Sequence, residues 1–256
     1  MSASAKSWLP LSPYRRCLLE LMRQCRNIPL VTAERPMRLG DIVEARQASD
    51  QRPAWTAIFT KAFAIVAARR PELRRAFFQL PWAHLYEHPV NVASVIVERH
   101  VDGEDMPLNH RFREPERQSL VQLHGSLLRA KTRPIEEVPV FRRLKMIAYL
   151  PSPLRRLLWA LAYHASGRVR AKNYGTFALS SPAASGAGLT TILSPVALTL
   201  HYGMFEHDGS ITMRLTFDHR VIDGAPAARA LADMEAALHS EILTELRQSR
   251  VLERAA

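Results

Sequence analysis

The spacing of apolar residues predicts several helices in the chain. Residues 12–26 carry an apolar stripe, and Ser12 and Pro13 fit the N-cap and the first helical position. Residues 54–70 are apolar on most sides, which predicts a buried helix. Amphipathic helices are predicted over 114–131 and 225–246, and two short helical runs over 141–166.

Other segments are rich in β-branched and aromatic residues, which indicates strands. These segments are 30–37, 90–98, 174–180, 189–203 and 210–217. Helices and strands follow one another without a regular βαβ alternation. The order therefore favours an α+β fold over a doubly wound sheet.

The composition excludes several classes of protein. Of the 256 residues, 47% are apolar, which provides a core of ample size, while 10 Gly and 23% charged residues exclude collagen and wholesale disorder. No apolar run is long enough to span a membrane, and the first residues lack the apolar core of a secretory signal. Cys17 and Cys25 lie eight residues apart in one predicted helix, where they are poorly placed to pair. We therefore expect a cytoplasmic protein in a reducing compartment.

The net charge of +11 is unevenly distributed. No Asp or Glu occurs from Val138 to Phe205, and this stretch contains eight basic residues. They are Arg142, Arg143, Lys145, Arg155, Arg156, Arg168, Arg170 and Lys172. The pattern indicates an anionic partner, which could be a phosphorylated cofactor or a membrane surface. Nucleic acid is the least favoured, because no zinc-finger spacing or RNA-binding signature is found.

The segment 141–166 has two possible interpretations. Its arginines and Trp159 flank an apolar stripe, which is typical of a helix lying in an anionic membrane surface. The same pattern fits helices packed on the protein body with their arginines in solvent.

One short motif suggests a metal site. His84, Glu87 and His88 match the H-x-x-E-H pattern of some zinc peptidases. Pro81 and Pro89 leave no room for the helix that this chemistry needs, so a surface loop is favoured and no metal is predicted.

The strongest chemical signal is the heptapeptide DHRVIDG at 218–224. It follows an apolar strand and precedes a helix, so His219 is predicted at a strand end, where a side chain can face a cleft. The residues alone leave another interpretation open, in which His219 caps the helix and Asp223-Gly224 is an ordinary turn.

The surrounding sequence resembles a known family. LTFDHRVIDGAPAARAL is similar to the C-terminal signature of the dihydrolipoyl acyltransferases of 2-oxoacid dehydrogenase complexes, which share a fold with chloramphenicol acetyltransferase. YGTFALSS, RRCLLELMRQCRNIP and WTAIFTKAFAIVAARRPEL resemble other segments of that family. The resemblance implies an α+β, chloramphenicol acetyltransferase-like fold with a mixed sheet and helices packed against it. We expect one catalytic domain over 12–248, a leader over 1–11 and a polar tail over 249–256.

The resemblance also implies a reaction. An acyl group would pass directly between coenzyme A and a thiol or hydroxyl acceptor, with no acyl-enzyme. His219 would be the general base, and Ser180 would donate to the oxyanion of the tetrahedral intermediate. Proteins of this fold form trimers in which these two residues come from neighbouring chains, so a homotrimer is expected.

Asp223 corresponds to a structural carboxylate of the family that pairs with an arginine of the first helix. Arg15 is the best match for that partner and Arg16 is the alternative. Together with Gly224, the pair would fix the loop that orients His219.

The chain also departs from the family. We expect no lipoyl domain on this chain, and residues 136–170 form a basic insertion of roughly thirty residues where the family has a short linker. We therefore expect a stand-alone acyl-CoA-dependent acyltransferase that uses no metal and has a small-molecule or lipid acceptor. One alternative acceptor is a dihydrolipoyl domain on another polypeptide, and another alternative is a non-catalytic scaffold of the same fold.

Overall fold

A computed structural model describes residues 8–101, 103–183 and 186–254. The helices are α1 (Pro13–Cys25), α2 (Gly40–Ala48), α3 (Trp55–Arg69), α4 (Leu120–Thr132), α5 (Pro139–Ala148), α6 (Ser152–His164), α7 (Gly167–Tyr174), α8 (Gly224–Ala237) and α9 (Leu243–Arg254). The strands are β1 (Leu30–Arg38), β2 (Arg75–Phe78), β3 (His84–Glu87), β4 (Val92–Val101), β5 (Glu104–Arg113), β6 (Phe177–Ser180), β7 (Leu198–Tyr202) and β8 (Ser210–Asp218).

Six strands form one mixed sheet in the order β1-β8-β7-β6-β4-β5. The pairs β4/β6 and β6/β7 are parallel, and the other neighbours are antiparallel. Strands β2 and β3 form a separate two-stranded sheet. The mixed sheet and the α+β organisation that the sequence predicts are therefore both present.

One face of the large sheet carries the main hydrophobic core. Side chains alternate between the two faces along each strand, so Phe177 and Leu179 of β6 point to the same side. There they join a buried cluster with α3 and α8, in which Phe63 packs edge-on against Phe177 at 4.9 Å between ring centroids. Because α3 is surrounded by the sheet and other helices, it is buried on most sides, as predicted.

The opposite face of the sheet is partly covered by α1 and the inserted helices α5 to α7. Ala178 points to this side and clusters with Tyr163 and Tyr174. The Nε atom of Arg155 lies 3.1 Å from Oε1 of the buried Glu20 on α1. The insertion is therefore anchored to the protein body by aromatic packing and by a buried ion pair.

Several local predictions need correction. Residues 189–197 do not form a strand, because the ladders to β6 and β8 extend only over Leu198–Tyr202. The segment 84–87 is strand β3 rather than a loop, since its backbone pairs with β2. Ser12 caps α1 and Pro13 opens it, as predicted. Residues 1–7 of the predicted leader lie outside the described residues, and the predicted tail begins inside α9.

Among the described residues, no helix has the length and hydropathy required to cross a membrane. The thiols of Cys17 and Cys25 are free and buried. Burial raises the pKa of Cys17 to about 11 and that of Cys25 to about 12, so both thiols stay protonated at neutral pH.

Candidate active site

His219 lies just beyond the end of β8, where the chain turns towards α8. Its backbone N–H donates to the carbonyl oxygen of Pro29 at 3.0 Å, which joins this turn to the segment that follows α1. The imidazole lies 5.9 Å from the ring of Phe217 and remains about half exposed. The prediction that His219 sits at a strand end is confirmed.

The residues on either side of His219 form a closed ion pair. Asp218 is buried, and its Oδ1 accepts hydrogen bonds from the backbone N–H and the Nε of Arg220, while its Oδ2 accepts from Nη2 at 2.8 Å. The guanidinium of Arg220 also lies over the ring of Phe77 at 4.4 Å. Hydrogen bonding to Asp218 raises the pKa of Arg220. These contacts hold His219 between two fixed neighbours.

Arg170 supports the same region from the insertion. It is buried, and its guanidinium donates to the carbonyl oxygens of Phe77 and Pro195 and to the hydroxyl of Tyr163. The charge pattern of the sequence places Arg170 among the cations that face an anionic partner, and that interpretation is wrong for this residue. Its charge is directed inward, where carbonyl dipoles and an aromatic ring replace water.

Asp223 contacts His219 rather than an arginine. The Nδ1 of His219 lies 3.3 Å from Oδ1 of Asp223, and the Asp223 side chain is 78% exposed. Among the described residues, no group bonds Nε2 of His219. A carboxylate beside Nδ1 favours the tautomer with its proton on that nitrogen, which leaves the lone pair of Nε2 free to accept a proton.

The predicted pairing of Asp223 with Arg15 is therefore wrong within the chain. Arg15 Nε lies 2.5 Å from Oε1 of Glu104, and Arg16 donates to the carbonyl oxygen of Leu11. Helix α1 begins over β5 and reaches the His219 turn only at its other end. At ~1.5 Å per residue, its length keeps Arg15 ~15 Å from that turn.

Gly224, the third residue of the predicted structural set, is the first residue of α8. A Cβ at this position would meet no atom within 4 Å, and the backbone is not in the left-handed region. No contact among the described residues therefore requires glycine here.

Ser180 ends β6, two strands away from β8. Its register partner is His201 on β7, which in turn faces Arg214 on β8. Asp218 lies four residues beyond Arg214. At ~3.4 Å per residue and ~4.8 Å per strand spacing, Ser180 is ~16 Å from Asp218, the residue before His219. The hydroxyl of Ser180 makes no hydrogen bond within the described residues.

A polar cluster beside Ser180 was not predicted from the sequence. His201 is fully buried, and its Nε2 lies 2.9 Å from Oγ1 of Thr216, which also bonds Oγ1 of Thr32 at 2.9 Å. Burial lowers the pKa of His201 to about 4, so the imidazole is neutral at pH 7. The alternation Thr199-x-His201 on β7 is the signal that could have indicated a polar face of the sheet.

Comparison with known proteins agrees with the resemblance seen in the sequence. Residues 189–244 match the family model of the 2-oxoacid dehydrogenases acyltransferase (catalytic domain). The match includes His219 and Asp223 but not Ser180 or Arg15. No curated protein sequence matches the chain.

Solved structures with the same fold cover almost the whole chain. The catalytic core of the 2-oxoacid dehydrogenase multienzyme complex from Thermoplasma acidophilum is 16% identical, with a TM-score of 0.67 over 92% of this chain and 99% of that one. A probable dihydrolipoamide acetyltransferase from Listeria monocytogenes is 17% identical, with a TM-score of 0.63 over 93% and 96%. Chloramphenicol acetyltransferase is 14% identical, with a TM-score of 0.52 over 90% and 96%. The predicted fold class and family resemblance are confirmed, and the family is one of acyltransferases.

Proposed function

We propose that the chain is a coenzyme A-dependent acyltransferase in which His219 is the general base. The observation that carries the proposal is the state of its imidazole. Asp218 and Arg220 fix the backbone around it, Asp223 lies against Nδ1, and Nε2 is left without a partner. This is the arrangement of a base that accepts a proton from an incoming substrate.

The chemistry follows from that free nitrogen. Nε2 of His219 removes the proton from the attacking thiol or hydroxyl, whose sulfur or oxygen then bonds to the acyl carbonyl carbon. The carbonyl becomes an oxyanion in a tetrahedral intermediate. When the intermediate collapses, the bond to the leaving group breaks and the imidazolium returns its proton to that group. A thiol is acidic enough for a neutral imidazole to take its proton close to neutral pH.

Ser180 is proposed as the donor to the oxyanion, but from a second copy of the chain. Its free hydroxyl suits the role, whereas its ~16 Å separation from the His219 turn does not suit a site within one chain. A homotrimer that joins the Ser180 end of one subunit to the His219 end of the next would complete the site.

The proposal includes two classes of acyl acceptor. A small thiol, a hydroxyl compound or a lipid is proposed first, and a dihydrolipoyl domain on a separate polypeptide is the alternative. Cytoplasmic localisation and contact of 141–166 with a membrane surface stay predictions.

The test is a panel of acyl-CoA thioesters incubated with the full chain and either dihydrolipoamide or a small alcohol. Free coenzyme A and the acylated acceptor are separated by chromatography and quantified, because acyl transfer between two thiols leaves the total number of free thiols unchanged. Turnover by the wild type that His219→Ala nearly abolishes would support the proposal, provided that the variant keeps its thermal stability. Equal rates for wild type and variant with every acceptor would favour a non-catalytic scaffold.

A further inference from the structure

The inserted helices enclose a groove that the proposed reaction does not use. It has a volume of about 550 Å³ and lies between α5, α6, the end of α7 and β5. This volume falls within the range of small-molecule sites. Most of its wall is apolar and includes Leu144, Met146, Ile147, Leu158, Trp159 and Tyr174.

Two arginines provide the charge in the groove. Arg143 donates to the neutral Oδ1 of Asn173, and Arg111 donates to the carbonyl oxygens of Lys172 and Asn173. Neither guanidinium pairs with a carboxylate of the described residues. Burial and then the nearby charge of Arg143 lower the pKa of Arg111, so the two cations repel each other. An anion between them would relieve that repulsion.

The groove wall also contains an unused hydrogen-bond donor. The indole Nε1 of Trp159 is buried and has no hydrogen-bond partner. A buried N–H without an acceptor is unfavourable, and such groups are rare in folded proteins. Because this N–H is enclosed, the donors that the open groove offers are those of Arg111 and Arg143.

We infer that this groove binds one molecule of an anionic amphiphile, with the apolar chain along α5 and α6 and the carboxylate or phosphate head at Arg111 and Arg143. The apolar wall would bury the hydrocarbon chain of the ligand. The two arginines, which pair with no carboxylate of the described residues, would bind its negatively charged head. A single molecule is favoured over a bilayer surface because the lining forms a groove between helices rather than an outward face. The inference goes beyond the proposed acyl transfer and does not require it.

Isothermal titration with dodecanoate below its micelle concentration tests the inference directly. We expect saturable binding of one molecule per chain, with weaker binding at high salt. Dodecanol, which has the same chain and no charge, should bind at least about ten-fold more weakly, since hydrogen bonds to charged groups are worth about that factor or more. His219→Ala should bind dodecanoate as the wild type does, which separates this test from the fate of the proposed reaction.

Two pairs of variants locate the site. Arg143→Gln should weaken dodecanoate binding by about ten-fold or more, whereas Arg142→Gln, which changes the adjacent exposed arginine outside the groove, should not. Leu158→Asp should abolish binding, whereas Leu157→Asp should leave it unchanged, because only Leu158 lines the groove. Thermal unfolding of each variant controls for loss of fold.

Three results would overturn the inference. Absence of saturable dodecanoate binding to the folded wild type would exclude an amphiphile site. If Leu158→Asp then also altered the oligomeric mass, the occupant of the groove would be another copy of the chain. Equal losses in Arg142→Gln and Arg143→Gln would mean general surface attraction. The third result concerns sedimentation with anionic vesicles. If Leu157→Asp abolishes it and Leu158→Asp does not, lipid binding belongs to the outer face of α6.

Discussion

Ser180 and His219 lie on the same sheet at opposite ends of its strands. Ser180 ends β6 in register with His201 and Arg214, and His219 follows β8 five residues beyond Arg214. A reaction that needs both side chains therefore needs two chains. The separation of the two residues follows from the strand register of this chain alone and uses no related protein.

Mixing two catalytically impaired variants tests this relationship. A His219→Ala chain keeps Ser180, and a Ser180→Ala chain keeps His219. Each interface of a closed ring joins His219 of one chain to Ser180 of the next. In randomly mixed trimers each of these two residues is intact in half of the chains, so about a quarter of the interfaces would have both. We expect an activity near a quarter of wild type, measured after co-expression or joint refolding. Activity no higher than that of the better parent, in trimers shown by native mass spectrometry to be mixed, would place both residues in one subunit.

The Ser180→Ala variant alone should show a selective kinetic defect. Loss of one donor to an oxyanion costs ~10²–10³-fold in kcat, with little change in KM, because the hydrogen bond strengthens mainly in the transition state. Ser181→Ala is the matched control, since its hydroxyl donates to the carbonyl oxygen of Tyr202 at the end of β7. We expect that variant to keep kcat within a few-fold. A Ser180→Ala variant that changes KM alone would make Ser180 a binding residue.

Asp218 and Asp223 should differ sharply in their effects on stability. Asp223→Ala removes an exposed carboxylate, so the free energy of unfolding should change by less than ~0.5 kcal/mol while activity falls. Asp218→Asn breaks a buried pair with Arg220 and should cost ~3 kcal/mol. Urea unfolding with an activity assay on the same samples measures both. Strong destabilisation by Asp223→Ala would restore the buried pairing expected from the sequence.

The sequence predicts those features that depend on local pattern. Ser12 and Pro13 mark the start of α1 because capping is a relation between near neighbours. The position of His219 at a strand end follows in the same way from the apolar run before it and the helix after it. The partner of Arg15 could not be predicted locally, because it depends on which end of α1 lies over β5.

Charge composition misleads for a similar reason. Arg155, Arg156 and Arg170 look alike in an acid-free stretch, yet Arg156 is exposed while Arg170 is buried and Arg155 pairs with the buried Glu20. The partner of Arg155 is 135 positions away in the sequence, and two of the carbonyl groups that surround Arg170 belong to Phe77 and Pro195. Patterning identifies the insertion as amphipathic, but it does not distinguish its anchors from its solvent-facing cations.

Stability should fall in mild acid because of two buried histidines. Burial lowers the pKa of both His88 and His201 to about 4. Between that value and the ~6.5 of an unfolded histidine, the unfolded chain binds protons that the folded chain does not, so acidification favours unfolding. We expect a loss on the order of 2 kcal/mol per histidine from pH 7 to pH 5, measured by urea unfolding. His201→Asn should reduce this pH dependence, whereas His207→Asn, at an exposed position, should not.

The anchor of the insertion gives the last prediction. Glu20 is buried on α1 and is held by Arg23 at 2.9 Å and by Arg155 at 3.1 Å. Arg155→Met leaves the carboxylate with one partner in a buried site, so we expect a loss of ~3 kcal/mol in the free energy of unfolding. Arg156→Met, at the exposed neighbouring position, should change stability by less than ~0.5 kcal/mol. If α5 and α6 detached from the protein body to lie on another surface, the ion pair between Arg155 and Glu20 would not form. Equal and negligible effects of the two variants would therefore reject the packed arrangement, and with it the groove between α5 and α6.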